Sequence, residues 1–137
     1  RPLLLDSLGL VAAVQWFVDE FRQRTGIACS LSLRPDTMAP PRTTAILLFR
    51  VLQELLTNIL RHAQARRVTV ALSETPGMIR LAVSDDGKGF PPTRDNVTPS
   101  LGLLGIRESV EALGGRFVIQ SRPQKGTRVS VTVPRPP

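Results

Sequence analysis

Four groups of residues in this chain have types and spacings that could do chemistry: Glu54 with Asn58, Asp85 with Gly87 and Gly89, Gly102-Leu103-Leu104-Gly105, and Gly126-Thr127. Glu54 and Asn58 lie four apart in a helical pattern, so a carboxylate and an amide oxygen project from one face and can converge on one point. A hard cation accepts both kinds of oxygen, and magnesium in particular takes one or two protein oxygens alongside waters and phosphates. The same pair also suits the solvated side of an amphipathic helix. Asp85 ends an alternating strand, where a carboxylate needs a hydrogen-bond donor, and a purine's exocyclic amino group is one. Gly87 and Gly89 would let the backbone pass close to a flat base. The run Asp85-Asp86-Gly87-Lys88-Gly89 could equally be an ordinary turn, and Asp86 is the alternative carboxylate, but Asp85 has the two-residue spacing toward the glycines. Gly102-Leu103-Leu104-Gly105 opens a helical segment, where free amides and the helix dipole favour phosphate. Lys88, Arg94 and Arg107 add positive charge along this stretch, each as able to be solvated as to touch phosphate. In this order the four groups read as one nucleotide site.

The elements that must position them follow from periodicity. Asp6 or Ser7 can cap a first helix with apolar positions Leu10, Val14, Phe17, Val18 and Phe21, ending at Gly26. Residues 27–33 are strand-like, and residues 35–41 form a linker that delivers Pro41 to the start of the next helix. That helix is expected over residues 43–65, with Leu47, Val51, Leu55 and Ile59 in one stripe and Arg50, Glu54, Asn58 and His62 on a neighbouring face. Two alternating strands carry Val68, Val70, Leu72 and Ile79, Leu81, Val83, joined at Pro76-Gly77 into a hairpin. Residues 90–101 are aperiodic and read as a lid. Residues 103–113 return to helical spacing until Gly114-Gly115, and strands at 117–121 and 127–133 close the chain around a turn at 123–126. The order predicts an α/β two-layer sandwich, with a sheet buried on one face under three helices. Residues 1–137 read as one domain, with 134–137 as a tail.

The 137-residue length allows a core without staples. The single cysteine, Cys29, cannot form an internal disulfide and reads as buried filler in a reducing compartment. Residues 45–60, the most apolar stretch, carry Arg50, Glu54 and Asn58 and read as too short and too polar to span a bilayer. The chain begins at Arg1 without a signal pattern, which suggests a piece of a longer protein. Eighteen Lys and Arg against 11 Asp and Glu give a net charge of +7, but the arginines are dispersed and aromatics make up 4%. No recognition-helix or zinc-knuckle spacing accompanies them, so direct nucleic-acid binding is not expected.

Three stretches resemble the N, G1 and G2 boxes of the Bergerat ATP-binding fold: Glu54-Leu-Leu-Thr-Asn58-Ile-Leu-Arg61-His62-Ala63, Asp85-Asp-Gly87-Lys-Gly89-Phe90 and Gly102-Leu-Leu-Gly105-Ile-Arg-Glu108. That fold is shared by sensor histidine kinases, gyrase-type topoisomerases, mismatch-repair ATPases and heat-shock chaperones. The wording around the first and third boxes is most similar to the nitrate-sensor-like branch of bacterial histidine kinases, and residues 1–11 resemble the junction after that branch's dimerisation helices. The resemblance implies a mixed, mostly antiparallel five-stranded sheet. It also implies ATP and Mg2+ as ligands, Asn58 as the magnesium ligand and Glu54 ordering water or assisting the attacking group. Arg61 would contact phosphate, His62 would line the nucleotide, Asp85 would read adenine, and Thr127 would complete the water network there. Gly87, Gly89, Gly102, Leu103, Leu104 and Gly105 would shape the lid and hold the phosphates. His62, the only histidine, lacks the context of a phosphoacceptor, so the accepting histidine would sit on a dimerisation domain outside this chain. A response regulator would be an indirect partner, the full-length protein a homodimer and the fragment a monomer. The domain would be cytoplasmic, with membrane anchoring of the parent left open. An ATP-gated regulatory module or anti-sigma-like serine kinase of the same fold is the alternative reading, and a basic nucleic-acid-binding domain without ATP ranks below it.

Overall fold

The computed structural model describes residues 3–89 and 101–135. The chain runs α1 (Leu3–Thr25), β1 (Ala28–Arg34), α2 (Arg42–Asn58), a π-helical turn (Ile59–Ala63), β2 (Arg67–Thr75), β3 (Met78–Asp85), α3 (Leu101–Ala112), β4 (Arg116–Ser121) and β5 (Thr127–Pro134). The five strands form one sheet in the order β1-β2-β3-β5-β4. β1 pairs with β2 in parallel, and the remaining pairs are antiparallel. A parallel neighbour requires a crossover, which α2 supplies between β1 and β2.

Alternation decides which face is covered. Val68, Val70, Leu72, Ile79, Leu81, Val83, Val129, Val131 and Val133 are buried, while their odd-numbered or even-numbered neighbours face outward. The three helices pack on that apolar face. α2 is the central one, burying Leu48, Val51, Leu52, Leu55 and Leu56, and Phe17 of α1 meets Phe49 edge-on with ring centroids 5.6 Å apart. This is the expected two-layer α/β sandwich with a mixed five-stranded sheet.

Several boundaries differ from the sequence reading. α1 starts at Leu3 rather than behind a cap at Asp6 or Ser7, and it breaks at Gly9, whose φ of 87° and ψ of 179° are not helical. Asp6 instead pairs with Arg42 at 3.3 Å. α2 does not run as regular helix to residue 65. It passes into the π turn after Asn58 and ends where Gln64 turns left-handed at φ 53°. Through that turn, Arg42–His62 is long and apolar enough to cross a membrane by length and composition, longer than the 45–60 stretch considered from sequence. More than half of its most apolar window, 56%, is buried against the rest of the protein, as befits a core helix. α3 begins at Leu101, two residues earlier than expected. Pro134, read as tail, sits opposite Met78 at the end of β5, and the Arg135 amide donates to the Gly77 carbonyl at 2.8 Å. Cys29 is buried on β1 as expected, and burial pushes its thiol pKa up. Of the expected lid, residues 90–101, Leu101 is instead the first residue of α3, and residues 90–100 lie outside the described residues.

Candidate functional site

A cleft of about 270 Å³ opens between α2 with its π turn, the end of the sheet and α3. Its walls are apolar: Leu55 and Ile59 from the helix side, Val83, Ile119 and Val129 from the sheet, and Leu103 from α3. Among the described residues, this lining holds one carboxylate, Asp85, together with Asn58, His62, Lys88 and Thr127.

Asp85 is the last residue of β3 and lies opposite Thr127, the first residue of β5. Its Oδ1 accepts the Gly87 amide at 2.8 Å, and the Thr127 amide also donates to the carboxylate. Burial raises its pKa and the charge of Asp86 adds to the rise, while the two amide bonds oppose it. Asp86, the alternative carboxylate, faces away from the cleft. Its Oδ1 accepts the Arg67 and Arg66 amides at 3.0 and 2.9 Å, which lowers its pKa, and so it ties the start of β2 to the end of β3. Two adjacent carboxylates are thereby separated into one aimed at the cleft and one holding backbone.

The glycine loop after Asp85 is seated on the turn between β4 and β5. Gly89 has φ 62°, and a side chain there would run into the Arg122 carbonyl. Reciprocally, Gly126 has φ 79°, and a side chain there would run into the carbonyl of Asp85. The Gln124 amide donates to the Lys88 carbonyl at 2.5 Å, joining the same two segments. Ser121 completes the corner, its hydroxyl 2.8 Å from the Thr127 hydroxyl and 3.1 Å from the Gly126 carbonyl, which it donates to. The sequence offers Asp86 only as the alternative to Asp85, not as the residue that ties β2 to β3, and it does not single out Ser121. The Asp-Gly pair following a strand was the available signal for the first, and nothing in the spacing points to the second.

The structure thus brings Asn58, His62, Asp85, Gly89, Leu103 and Thr127 to one cleft and leaves other expected residues outside its lining. Glu54 is half-buried one turn before Asn58 and packs against Gly102 of α3. Arg61 is exposed and lines no part of the cleft. Gly87 is buried with its amide on Asp85. Gly102, Leu104 and Gly105 lie on the exposed side of the first turns of α3, while Leu103 alone turns inward at 2% exposure. His62 lies in the π turn, whose i to i+5 hydrogen bonding departs from the regular α-helical ladder of Arg50, Glu54 and Asn58, and it still reaches the cleft.

Residues 43–137 match the family described as histidine kinase-, DNA gyrase B- and HSP90-like ATPase. The chain belongs to this ATPase family. Among relatives, the signal transduction histidine-protein kinase/phosphatase DegS of Brevibacillus brevis is 34% identical over 134 residues, covering 98% of this chain and 34% of that protein. The corresponding kinase/phosphatase UhpB of Salmonella typhimurium is 39% identical over 136 residues, covering 98% of this chain and 26% of that protein. This member of the ATPase family therefore spans about a third and a quarter of those two relatives. Among solved structures, the histidine kinase domain of the Erythrobacter litoralis EL346 blue-light activated histidine kinase superposes with a TM-score of 0.73 at 27% identity, covering 92% of this chain and 61% of that one.

Proposed function

We propose that this chain is the catalytic ATP-binding domain of a sensor histidine kinase of the nitrate-sensor-like branch, which binds Mg-ATP and delivers its terminal phosphoryl group to a histidine on a dimerisation domain. The observation that carries the reading is Asp85: a carboxylate held by two amides in a cleft with mostly apolar walls. Such a group calls for a ligand that is flat and apolar with an N–H donor on its edge, and adenine meets all three requirements. Guanine would turn a carbonyl oxygen toward the same carboxylate.

In this reading Thr127 and Asp85 read the adenine edge, and Gly89 lets the loop approach the base. His62 and Lys88 border the remainder of the nucleotide, and the first-turn amides of α3 with Gly102 and Gly105 hold phosphate. Asn58, half-buried at the cleft, presents an amide oxygen suited to magnesium. Among the described residues no group of three or more His, Cys, Asp or Glu could hold a metal ion, so a cation here needs the ligand's own oxygens as well, which fits magnesium on a nucleotide. When bound, it would spread the charge that builds on the phosphates. In the transfer itself the bond from the terminal phosphorus to the bridging oxygen breaks, a phosphorus–nitrogen bond to the accepting imidazole forms, and ADP leaves. The chain's own part is to position the triphosphate, with Glu54 assisting the attacking nitrogen. The accepting domain, a response regulator and dimerisation of the full-length protein belong to the same proposal, as does a cytoplasmic location.

Calorimetric titration with ATP, ADP and GTP, with and without magnesium, tests the site. ATP and ADP should bind well above GTP, and equal affinities would overturn the adenine reading. Labelled ATP should leave the chain unlabelled by itself and label a dimerisation fragment of the parent mixed in. Stoichiometric labelling of this chain alone, at His62 or a serine, would favour a self-contained kinase.

A further inference from the structure

The face of the sheet opposite the helices is basic. Register places Arg34, Ser73, Arg80, Thr132 and Arg116 side by side in one row across all five strands. The next row outward on that face is Ser32, Ala71, Ala82, Ser130 and Val118, and the one beyond it contains Ser84, Arg128 and Gln120. Neighbouring strands are about 4.8 Å apart, so the three arginines of the first row are spaced at roughly 10 Å. All four arginines are exposed, and among the described residues none makes an ion pair. Arg80 donates to the Ser130 hydroxyl at 3.3 Å and Arg128 to the Ser84 hydroxyl at 3.2 Å, so both lie across the sheet on neutral partners with their charge uncompensated. No carboxylate occupies any of these rows.

We propose that this face is a docking surface for an anionic phospholipid bilayer. Charge complementarity requires an anionic partner and excludes a second copy of the same face. The low floor of Ala, Ser and Thr leaves the guanidinium groups as the tallest features, an array of cations and donors over a flat sheet that matches a plane of headgroups. A folded-protein partner would need an apolar or aromatic centre, and this face offers only Val118 and Met78 at its margins. Base recognition in a nucleic acid would need an aromatic platform or an element that enters a groove, and neither stands on these strands, while binding through phosphates alone is an outcome of the test below. The surface lies on the far side of the sheet from the helices and the cleft, so it is independent of the proposed nucleotide chemistry.

The test is sedimentation of the 137-residue chain with vesicles of phosphatidylcholine alone and of phosphatidylcholine mixed with phosphatidylglycerol. The chain should bind the anionic vesicles only, and high salt should release it. Each arginine near an anionic surface is worth roughly fivefold in partitioning. The triple variant Arg34→Gln, Arg80→Gln, Arg116→Gln should therefore lose on the order of a hundredfold. Arg22→Gln, Arg24→Gln, Lys125→Gln removes the same formal charge elsewhere and should change binding by no more than a few fold. Thermal unfolding checks that both are folded, and the edge-strand pair Arg34→Gln, Arg116→Gln alone should lose roughly 25-fold if the triple variant is compromised. Failure of the parent chain to bind anionic vesicles, equal losses in the two triple variants, or tighter binding to a short DNA duplex or polyglutamate than to anionic vesicles at equal total anionic charge would overturn the proposal.

Discussion

A methyl group placed on Gly102 would fall inside the carboxylate of Glu54. The first turn of α3 and the middle of α2 thus touch through a residue without a side chain and one that the proposed chemistry uses. Glu54 ends in a flexible carboxylate and can swing aside, while alanine favours a helix over glycine by up to about 1 kcal/mol. Gly102→Ala should therefore leave stability within about 1 kcal/mol of the parent, measured by denaturant unfolding. Phosphoryl transfer to an added dimerisation fragment should fall with it, because Glu54 has moved. Unchanged transfer would show that the position of Glu54 does not matter.

Gly126→Ala behaves differently. Its φ of 79° strains any L side chain, and the added carbon meets the backbone carbonyl of Asp85, which cannot rotate away. A loss of roughly 2 to 4 kcal/mol in unfolding free energy is expected. Adenine nucleotide binding should weaken further than the stability loss explains, since the edge of β3 carrying Asp85 must shift.

The two adjacent carboxylates predict opposite pH behaviour. Burial raises the Asp85 pKa, so only between the unfolded value and the raised one does the folded chain hold a proton that the unfolded chain has released, and that contribution to stability is lost as pH rises through the raised value. Asp85→Asn should accordingly raise the unfolding midpoint at neutral pH while costing about 1.5 to 3 kcal/mol in ATP binding, as for a hydrogen bond to a charged group. Amide bonds from Arg67 and Arg66 lower the Asp86 pKa, so its contribution is present above the unfolded value and is lost as pH falls through the folded one. Asp86→Ala should lower the midpoint at neutral pH and leave ATP affinity nearly intact. Parallel denaturation curves from pH 3 to 8 on both variants check the signs, and shifts in the same direction would contradict the arrangement.

For Asn58→Ala, the expected outcome is weaker Mg-ATP binding with metal-free ADP binding nearly unchanged, because the adenine contacts lie elsewhere in the cleft. Calorimetry with and without magnesium separates the two. Equal losses for both ligands would point to a disturbed π turn instead.

Much of this fold was legible because its strands alternate so regularly: Val68 through Leu72 and Ile79 through Val83 assign the covered face, and Pro76-Gly77 marks the hairpin. Gly114, at φ 80°, stops α3 where the spacing placed its end. The π turn was not legible, since Ile59–Ala63 carries no residue that departs from α-helical preference and the extra residue is set by packing. The break at Gly9 escaped for a related reason, because an isolated glycine in a helical pattern is tolerated as often as it breaks the helix. In the cleft, Asp85, two residues before Gly87, and Thr127, next to Gly126, each stand at a strand end, and it was the family resemblance that put them at one adenine site. The contact of Glu54 with Gly102 could not be read from the sequence, because it depends on how α2 and α3 lie together rather than on either helix's own residues.

The reciprocal seating of Gly89 on the Arg122 carbonyl and Gly126 on the Asp85 carbonyl makes two segments, separated by an entire helix and strand in the chain, one fitted pair. A recombinant that takes residues 85–89 from one relative and residues 122–127 from another joins two halves shaped against different counterparts. Exchange points placed between them should yield fewer working chimaeras than exchange points that keep both on the same parental side.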